Sequence, residues 1–135
     1  MPVPGTLKKR PFDQHEVARL LKAQFSLPEN EAMVYLKLVE THEMGLEGIA
    51  AHMGMSMNEI ASITKSMLDR GLIIEAPGRP STFIALHPRM MLTNLFKTYE
   101  KEVVGALRER RATVDKVVVL LTPVFEEREV RKESA

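Results

Sequence analysis

Residues 46–86 read LEGIAAHMGMSMNEIASITKSMLDRGLIIEAPGRPSTFIAL, and this stretch decides the fold. Its first eight residues have the apolar spacing of one helix face, and Gly54 follows, where a residue without Cβ turns the chain at little cost. Ser56 and Glu59 then form a capping box for a second helix, which stops at Gly71. Helix, glycine turn and capped helix together predict a helix-turn-helix.

Two β-prone runs follow the second helix, at residues 72–74 and 82–86, and the loop APGRP (76–80) between them has the composition of a turn. A hairpin placed directly after a recognition helix is a wing. The sequence therefore predicts a winged helix-turn-helix domain over residues 13–88, in a mainly α fold with a small β-hairpin (α+β). Such a domain binds nucleic acid by default.

Composition excludes several classes of protein. At 135 residues the chain has room for one domain and an appendage. It has no cysteine, which removes disulfides, thiol catalysis and cysteine-based zinc sites. Residues 1–11 are polar and basic, unlike a signal peptide, and the longest apolar run, 117–121, is far short of the ~20 residues of a membrane helix. We therefore expect a cytoplasmic protein with no membrane partner.

No pattern of an enzyme is present. His42-Glu43 begins like a zinc-protease motif, but the fourth residue after His42 is Leu46 and not a second histidine. The four histidines lack ligand spacing, and no glycine-rich phosphate loop or serine–base arrangement occurs. We expect no catalytic residue, no metal and no cofactor.

The chain before the helix-turn-helix is predicted to hold an arm and two helices. Residues 1–12 form a flexible basic arm around Lys8-Lys9-Arg10, which is either a solvated terminus or a phosphate contact. Residues 13–23 form a first helix that opens on the capping pair Asp13 and Glu16 and places Val17, Leu20 and Leu21 on its apolar face.

A second helix is predicted after Pro28, which suits a helix start. Glu29 and Glu31 lie in its first turn, where the helix macrodipole favours acids. The helix is apolar nearly all round, which is typical of a central buried helix. Met44-Gly45 is predicted to be the turn that leads into the helix-turn-helix.

A long helical pattern begins at Arg89. Its apolar residues recur at heptad spacing and, beyond a stutter near Gly105, on a shifted phase. We call these residues the seam, namely Leu92, Phe96, Tyr99, Val103, Leu107, Val114, Val117 and Leu121. Residues 89–122 are predicted to be a coiled-coil dimerisation helix that ends before Pro123, and residues 123–135 a charged tail. Because so long a stripe needs a partner, we expect a homodimer.

Three pieces of the sequence resemble the TrmB family of archaeal transcriptional regulators. They are FSLPENEAMVYLKLVE (25–40), GLIIEAPGRPSTF (71–83) and the coiled coil that follows. The resemblance implies a winged helix that binds operator DNA as a dimer joined through a helix after the wing. Many members carry a C-terminal sugar-binding domain, and this sequence is similar to a short form without one. Where the family has a basic and an aromatic residue near the start of the recognition helix, this sequence has Met57 and Ala61.

The predicted reading elements are the recognition helix 57–70 and the wing 75–82. An asparagine can read adenine, serine and lysine can contact bases or phosphates, and Met57 and Ala61 can meet a thymine methyl. Arg79, at the wing tip, can enter a minor groove or grip a phosphate. The candidate DNA-binding residues are Ser56, Met57, Asn58, Ala61, Ser62, Lys65, Ser66, Arg79 and Ser81. The alternatives are a solvated helix face and an ordinary turn arginine.

The sequence thus predicts a sequence-specific regulator that binds double-stranded DNA as a homodimer, with any small-molecule effector left open. Charge argues in part against this, because residues 27–70 contain three basic and seven acidic residues, whereas affinity for DNA comes largely from Lys and Arg. The alternative is a winged helix used for protein–protein contacts in a transcription or chromosome-organising assembly.

Overall fold

The computed structural model describes residues 12–134, and all but the last residue of the predicted arm therefore lie outside the described residues. The described elements are α1 (Gln14–Phe25), α2 (Glu29–Thr41), β1 (Glu43–Gly45), α3 (Leu46–Met53), α4 (Met57–Asp69), β2 (Ile73–Glu75), β3 (Thr82–Ala85) and α5 (Pro88–Ser134). The chain divides into two compact units, the first ending at Phe96 and the second beginning at Lys97. The predicted fold class, a winged helix-turn-helix followed by a long helix, is confirmed.

Helix α1 begins one residue after its cap. The Asp13 carboxylate accepts a hydrogen bond from the His15 amide at 2.9 Å, which satisfies one of the free amides of the first turn. The helix then buries Ala18 and Leu21. Leu20, which we expected on the same face, is instead 56% exposed.

Helix α2 is the central helix of the first unit, as predicted. Its buried residues include Ala32, Val34 and Leu38. Glu31, expected to act only through the helix dipole, is itself buried, and its carboxylate forms an ion pair with Arg70 at the C-terminal end of α4. A buried carboxylate needs such a partner, because removing a charge from water is costly.

A tyrosine of α2 connects this helix to the end of the wing. The Tyr35 hydroxyl donates a hydrogen bond to the Leu86 carbonyl at 2.7 Å. Tyr35 is only 5% exposed, and burial raises its pKa to about 12, because the phenolate loses its hydration.

We expect Tyr35→Phe to destabilise the protein by about 1–2 kcal/mol, since the Leu86 carbonyl loses its donor. The raised pKa also predicts alkaline sensitivity. Above pH ~10 the unfolded tyrosine releases its proton while the folded one keeps it, so stability is complete below that pH and falls as the pH rises towards about 12.

Urea titrations between neutral pH and pH ~11 measure both effects. Tyr35→Phe should flatten the alkaline loss, whereas Tyr99→Phe, at the other tyrosine of the chain, should leave it unchanged. An equal alkaline loss in wild type and Tyr35→Phe would show that another group causes it.

The helix-turn-helix follows the predicted pattern closely. Gly54, between α3 and α4, has φ +66°, where glycine avoids the Cβ clash. The Ser56 hydroxyl accepts from the Glu59 amide at 3.1 Å and lies 3.2 Å from the Glu59 carboxylate, to which it donates. Both helices lie over a core whose fully buried side chains include Leu27, Leu38, Ile49, Ile60, Met67, Leu72, Ile73, Met91 and Leu95.

The sheet has three strands in the order β1-β3-β2, all antiparallel. The hairpin of β2 and β3 is the predicted wing. The prediction of a turn at Met44-Gly45 was wrong, because both residues belong to β1, where Met44 pairs with Phe83 and Gly45 with Thr82. A three-residue strand has too little sequence to show an alternating pattern.

Helix α5 is continuous through Gly105 and Pro123. The prediction that it ends at Thr122 was therefore wrong, and residues 123–134 of the predicted charged tail belong to the same helix. Proline lacks the amide that would bond to the carbonyl of Val119, and inside a helix it costs ~3 kcal/mol. The apolar residues Val124 and Phe125 directly after it are both about 60% exposed in the single chain.

Candidate nucleic-acid interface

The polar face of α4 is accessible, as a reading surface must be. Asn58, Ser62 and Lys65 are exposed, while Ile60, Thr64 and Met67 on the opposite side are buried. The Thr64 hydroxyl donates to the Ile60 carbonyl at 2.9 Å, which satisfies it inside the helix. Ser56, Met57 and Ala61 are exposed at the start of the same helix. The structure thus places these predicted residues together on one element.

Ser66 and Arg70 have a different environment from the one that the helix pattern suggests. The Ser66 hydroxyl lies 3.2 Å from Nη2 of Arg70 and accepts a hydrogen bond from it, and the residue is half-buried. The same guanidinium forms the ion pair with Glu31. Arg70 therefore contributes little positive charge to the exposed face of α4, where the remaining charges are Glu59, Lys65 and Asp69.

The wing is shaped by turns that hold its tip. Gly78 has φ +72° and Ser81 has φ +58°, and the Arg79 amide donates to the Ala76 carbonyl at 3.1 Å. The Ser81 amide donates to the Glu75 carboxylate at 3.1 Å, and the Ser81 carbonyl accepts from the Leu46 amide at 2.9 Å. These bonds fix the wing loop against the start of α3.

Arg79 is exposed but paired. Its side chain is 63% exposed, and Nη1 lies 2.7 Å from Oε1 of Glu43, which is on β1. Glu43 approaches the wing because β1 pairs with β3, with Glu43 opposite Ile84. The other carboxylate oxygen of Glu43 is buried without a hydrogen-bond partner among the residues described. Arg79 therefore has an acidic neighbour on β1. The sequence did not indicate this neighbour, because a turn and not a strand was predicted at Met44-Gly45.

A shallow recess of about 360 Å³ lies between the start of α4 and the wing, lined by Gly45, Leu46, Glu47, Met57 and Ser81. It brings the candidate residues Met57 and Ser81 next to each other. Among the side chains that the structure describes, in residues 12–131, no cluster of three potential metal-ligating groups occurs. No helix in the described part of the chain is long and apolar enough to cross a membrane.

Comparison with protein families shows to which family the winged helix-turn-helix belongs. The family model described as sugar-specific transcriptional regulator TrmB matches residues 21–89, a segment that runs from the end of α1 to the start of α5. The chain belongs to the TrmB family. The resemblance expected from the sequence is thus confirmed. A search of the curated proteins gave no match.

Two solved structures share the fold of this TrmB-family chain. TrmBL2, described as an archaeal chromatin protein with a novel mode of DNA binding, superposes with a TM-score of 0.68 at 18% identity, over 84% of this chain and 44% of its own. The ST1889 protein of Sulfolobus tokodaii gives 0.51 at 14% identity, over 70% of this chain and 99% of its own. This chain therefore spans less than half the length of TrmBL2.

The sequence of this TrmB-family member did not reveal the three acidic partners around its reading elements. Glu31 pairs with Arg70, Glu43 pairs with Arg79 and Glu75 holds the Ser81 amide. The two ion pairs join residues on distant elements, so no local spacing encodes them, whereas the contact of Glu75 with Ser81 closes the wing loop within six residues. The one indication of these contacts in the sequence was the excess of acidic over basic residues in residues 27–70.

Proposed function

We propose that this chain is a transcriptional regulator that binds double-stranded DNA as a homodimer. The observation that carries the proposal is the capped helix α4, whose exposed polar face lies within a segment that belongs to the TrmB family. Asn58 would read a base edge in the major groove, and Ser62 and Lys65 would contact neighbouring bases or phosphates. Ser56, Met57, Ala61 and Ser81 would complete the contact, and Ser66 would support it through Arg70.

The wing would supply the second contact. Arg79 is exposed enough to meet a phosphate or a minor groove, and it would exchange the Glu43 carboxylate for the DNA backbone. The arginine stays charged and hydrogen-bonded in both states, but the exchange leaves the partly buried Glu43 carboxylate without its cation, which opposes binding. Glu43 therefore sets how much of the positive charge of the wing is available to DNA.

The seam of α5 would join the two subunits. Phe96, Leu107, Val114 and Leu121 are between 52% and 59% exposed in the single chain. A row of exposed apolar side chains at heptad spacing is stable in water only when a partner helix covers it. Two reading heads joined in this way would meet half-sites about one helical turn of DNA apart, ~34 Å.

A second candidate function is protein recognition by the same winged helix. It is favoured by the charges of α4, because two of the three exposed charged residues, Glu59 and Asp69, are acidic and Arg70 is paired with Glu31. Binding to DNA should depend steeply on salt, with log K falling by ~0.9 per log unit of salt for each phosphate contacted. Binding to a protein partner would not follow that slope.

Fluorescence polarisation with genomic DNA fragments at several salt concentrations tests the proposal. We expect Arg79→Ala to weaken binding to all sequences and to lower the salt slope by about one contact per subunit, and Asn58→Ala to relax preference at one base position with a loss of about 1–3 kcal/mol.

Glu43→Gln is the matched variant, because it removes the acidic partner and leaves Arg79 in place. It should strengthen binding to every sequence, in the opposite direction to Arg79→Ala. Undetectable binding at low salt would contradict DNA binding and favour a protein partner. Equal binding by wild type and both wing variants would exclude Arg79 from the DNA interface.

A further inference from the structure

The distal part of α5 carries more apolar surface than a two-stranded coiled coil covers. Such a coil buries one stripe of each helix, here the seam. Val119 and Leu120 lie outside that stripe, yet they are 70% and 61% exposed. A helix that is apolar on all sides is typically surrounded by other helices. The seam dimer would thus leave apolar surface without cover around residues 117–125.

A second face of α5 lies beside the seam, and we call it the tail face. With 3.6 residues per turn, its side chains follow one another along one side of the helix. It has a basic end, an apolar middle and an acidic end, formed by Arg108 and Arg111, by Val118 and Val119, and by Glu126 and Glu129. All of these residues are exposed in the single chain. Thr122 adds to the middle, because its hydroxyl is already bonded to the Val118 carbonyl at 2.6 Å.

The order of charges along this segment is self-complementary in the antiparallel direction. Suppose that two copies pair about a two-fold axis between Val118 and Val119. The residues that then share a height and lie on the tail faces have opposite charges in two pairs, Arg108 with Glu129 and Arg111 with Glu126. A parallel pair would place like charges beside each other at both positions, which is unfavourable.

The charges at the two ends of the tail face are free to make these contacts. Arg108, Glu126 and Glu129 form no ion pair within the part of the chain that the structure describes. Arg111 lies 3.9 Å from Asp115 on the same helix, at the limit of an ion pair. Exposed ion pairs add little stability singly, but charges that flank an apolar stripe decide the orientation and the partner of a helix.

From this pattern we propose that the tail faces of two copies associate in antiparallel orientation and join one seam dimer to the next, an inference that rests on the seam dimer proposed above. The partner is a second copy of this chain, because a single sequence supplies both halves of the charge pattern. The apolar middle of each tail face covers Val118 and Val119 of the other copy. The two-fold axis of a parallel seam dimer places its two tail faces on opposite sides, so each dimer can join two others and assemblies of four or more chains can form.

Charge reversal tests the proposal through the mass in solution, measured by analytical ultracentrifugation. We expect a wild type larger than a dimer, with a mass of four chains or more. Arg108→Glu with Arg111→Glu makes both ends acidic, and Glu126→Arg with Glu129→Arg makes both ends basic. Each double variant should sediment as a dimer, and a mixture of the two, or all four changes in one chain, should restore the larger assembly. A wild type no larger than a dimer, or double variants with unchanged mass, would overturn the proposal.

Disulfide trapping tests the orientation in a chain with nearly native charge. The sequence has no cysteine, so an introduced thiol reacts only with another introduced thiol. Asp115 and Thr122 share a height and a side in the antiparallel pair, and a mixture of Asp115→Cys and Thr122→Cys chains should give mainly the mixed cross-link, because a disulfide needs Cα atoms within ~7 Å. Predominant 115–115 and 122–122 cross-links would indicate parallel association and would contradict the proposal.

A short duplex with one pair of half-sites separates this proposal from that of DNA binding. The affinity of Arg108→Glu/Arg111→Glu for such a duplex should equal that of the wild type, because these residues lie outside the reading elements. Two duplexes that carry different fluorophores should bind to the same protein assembly and diffuse together in the presence of the wild type, but not in the presence of this variant. Joint capture by both proteins would show that the tail face does not bridge dimers.

Discussion

Val103→Glu combined with Leu107→Glu should reduce the affinity for a duplex with two half-sites by at least ~100-fold. The two side chains belong to the seam and are 37% and 58% exposed in the single chain. Glutamates at both positions would place like charges across the dimer contact in a poorly hydrated environment. Each head would then bind alone and lose the gain that comes from linking two sites, which is typically 10²–10⁴-fold.

Polarisation measurements on duplexes with one and two half-sites show whether this loss arises from dimerisation. The variant should bind both duplexes with the affinity of a single head. Lys101→Glu is the matched control, because it adds a negative charge on the opposite side of α5 and should keep the dimer. The seam variant is also combined with Arg108→Glu and Arg111→Glu, which removes association through the tail face. This combined variant should sediment as a monomer, and a dimeric mass would show that the subunits associate through another surface.

Gly71→Ala should destabilise the protein by about 3 kcal/mol, through backbone strain and a steric clash. Gly71 has φ +72°, where an alanine costs ~1–2 kcal/mol. Its Cβ would also lie 2.7 Å from Nδ2 of Asn94, the same atom that donates to the Gly71 carbonyl at 2.7 Å. The substitution therefore disturbs the hydrogen bond that holds the first part of α5 to the end of α4.

Gly78→Ala provides a matched control for that experiment. Gly78 has the same φ of +72°, but a Cβ there would have no atom within 4 Å. Its loss of stability in urea should therefore be only the backbone contribution of ~1–2 kcal/mol. Gly71→Ala combined with Asn94→Ala should cost less than the sum of the two single changes, and strictly additive losses would show that the two residues do not interact.

Most of the fold was predictable because local chemistry determines it. The Ser56–Glu59 cap, Gly54 and the two β-prone runs each need only neighbours in sequence, and the structure has them where they were expected. The error at β1 has a non-local cause, because β3 supplies the hydrogen bonds of this strand. The error at Pro123 came from the usual effect of proline, which ends most helices, whereas α5 continues past it.

The candidate site was predictable only in part, for the same reason. Which residues of α4 are exposed follows from the helical period, and Asn58, Ser62 and Lys65 are exposed as that period requires. The helical period does not show whether an arginine is paired with an acid. Arg70 and Arg79 are paired with acids that are distant in sequence, on α2 and on β1. Only the assembled fold shows how little positive charge the reading face presents.

The ion pair between Glu31 and Arg70 also limits how the regulator could respond to a signal. It fastens the last turn of α4 to the first turn of α2 through a buried carboxylate, and to slide or rotate α4 alone would strand that charge in the protein interior. In the proposed dimer, any rearrangement that alters DNA affinity is therefore expected to move α2 and α4 as one rigid block, by changing the angle between subunits and leaving the interior of each head intact.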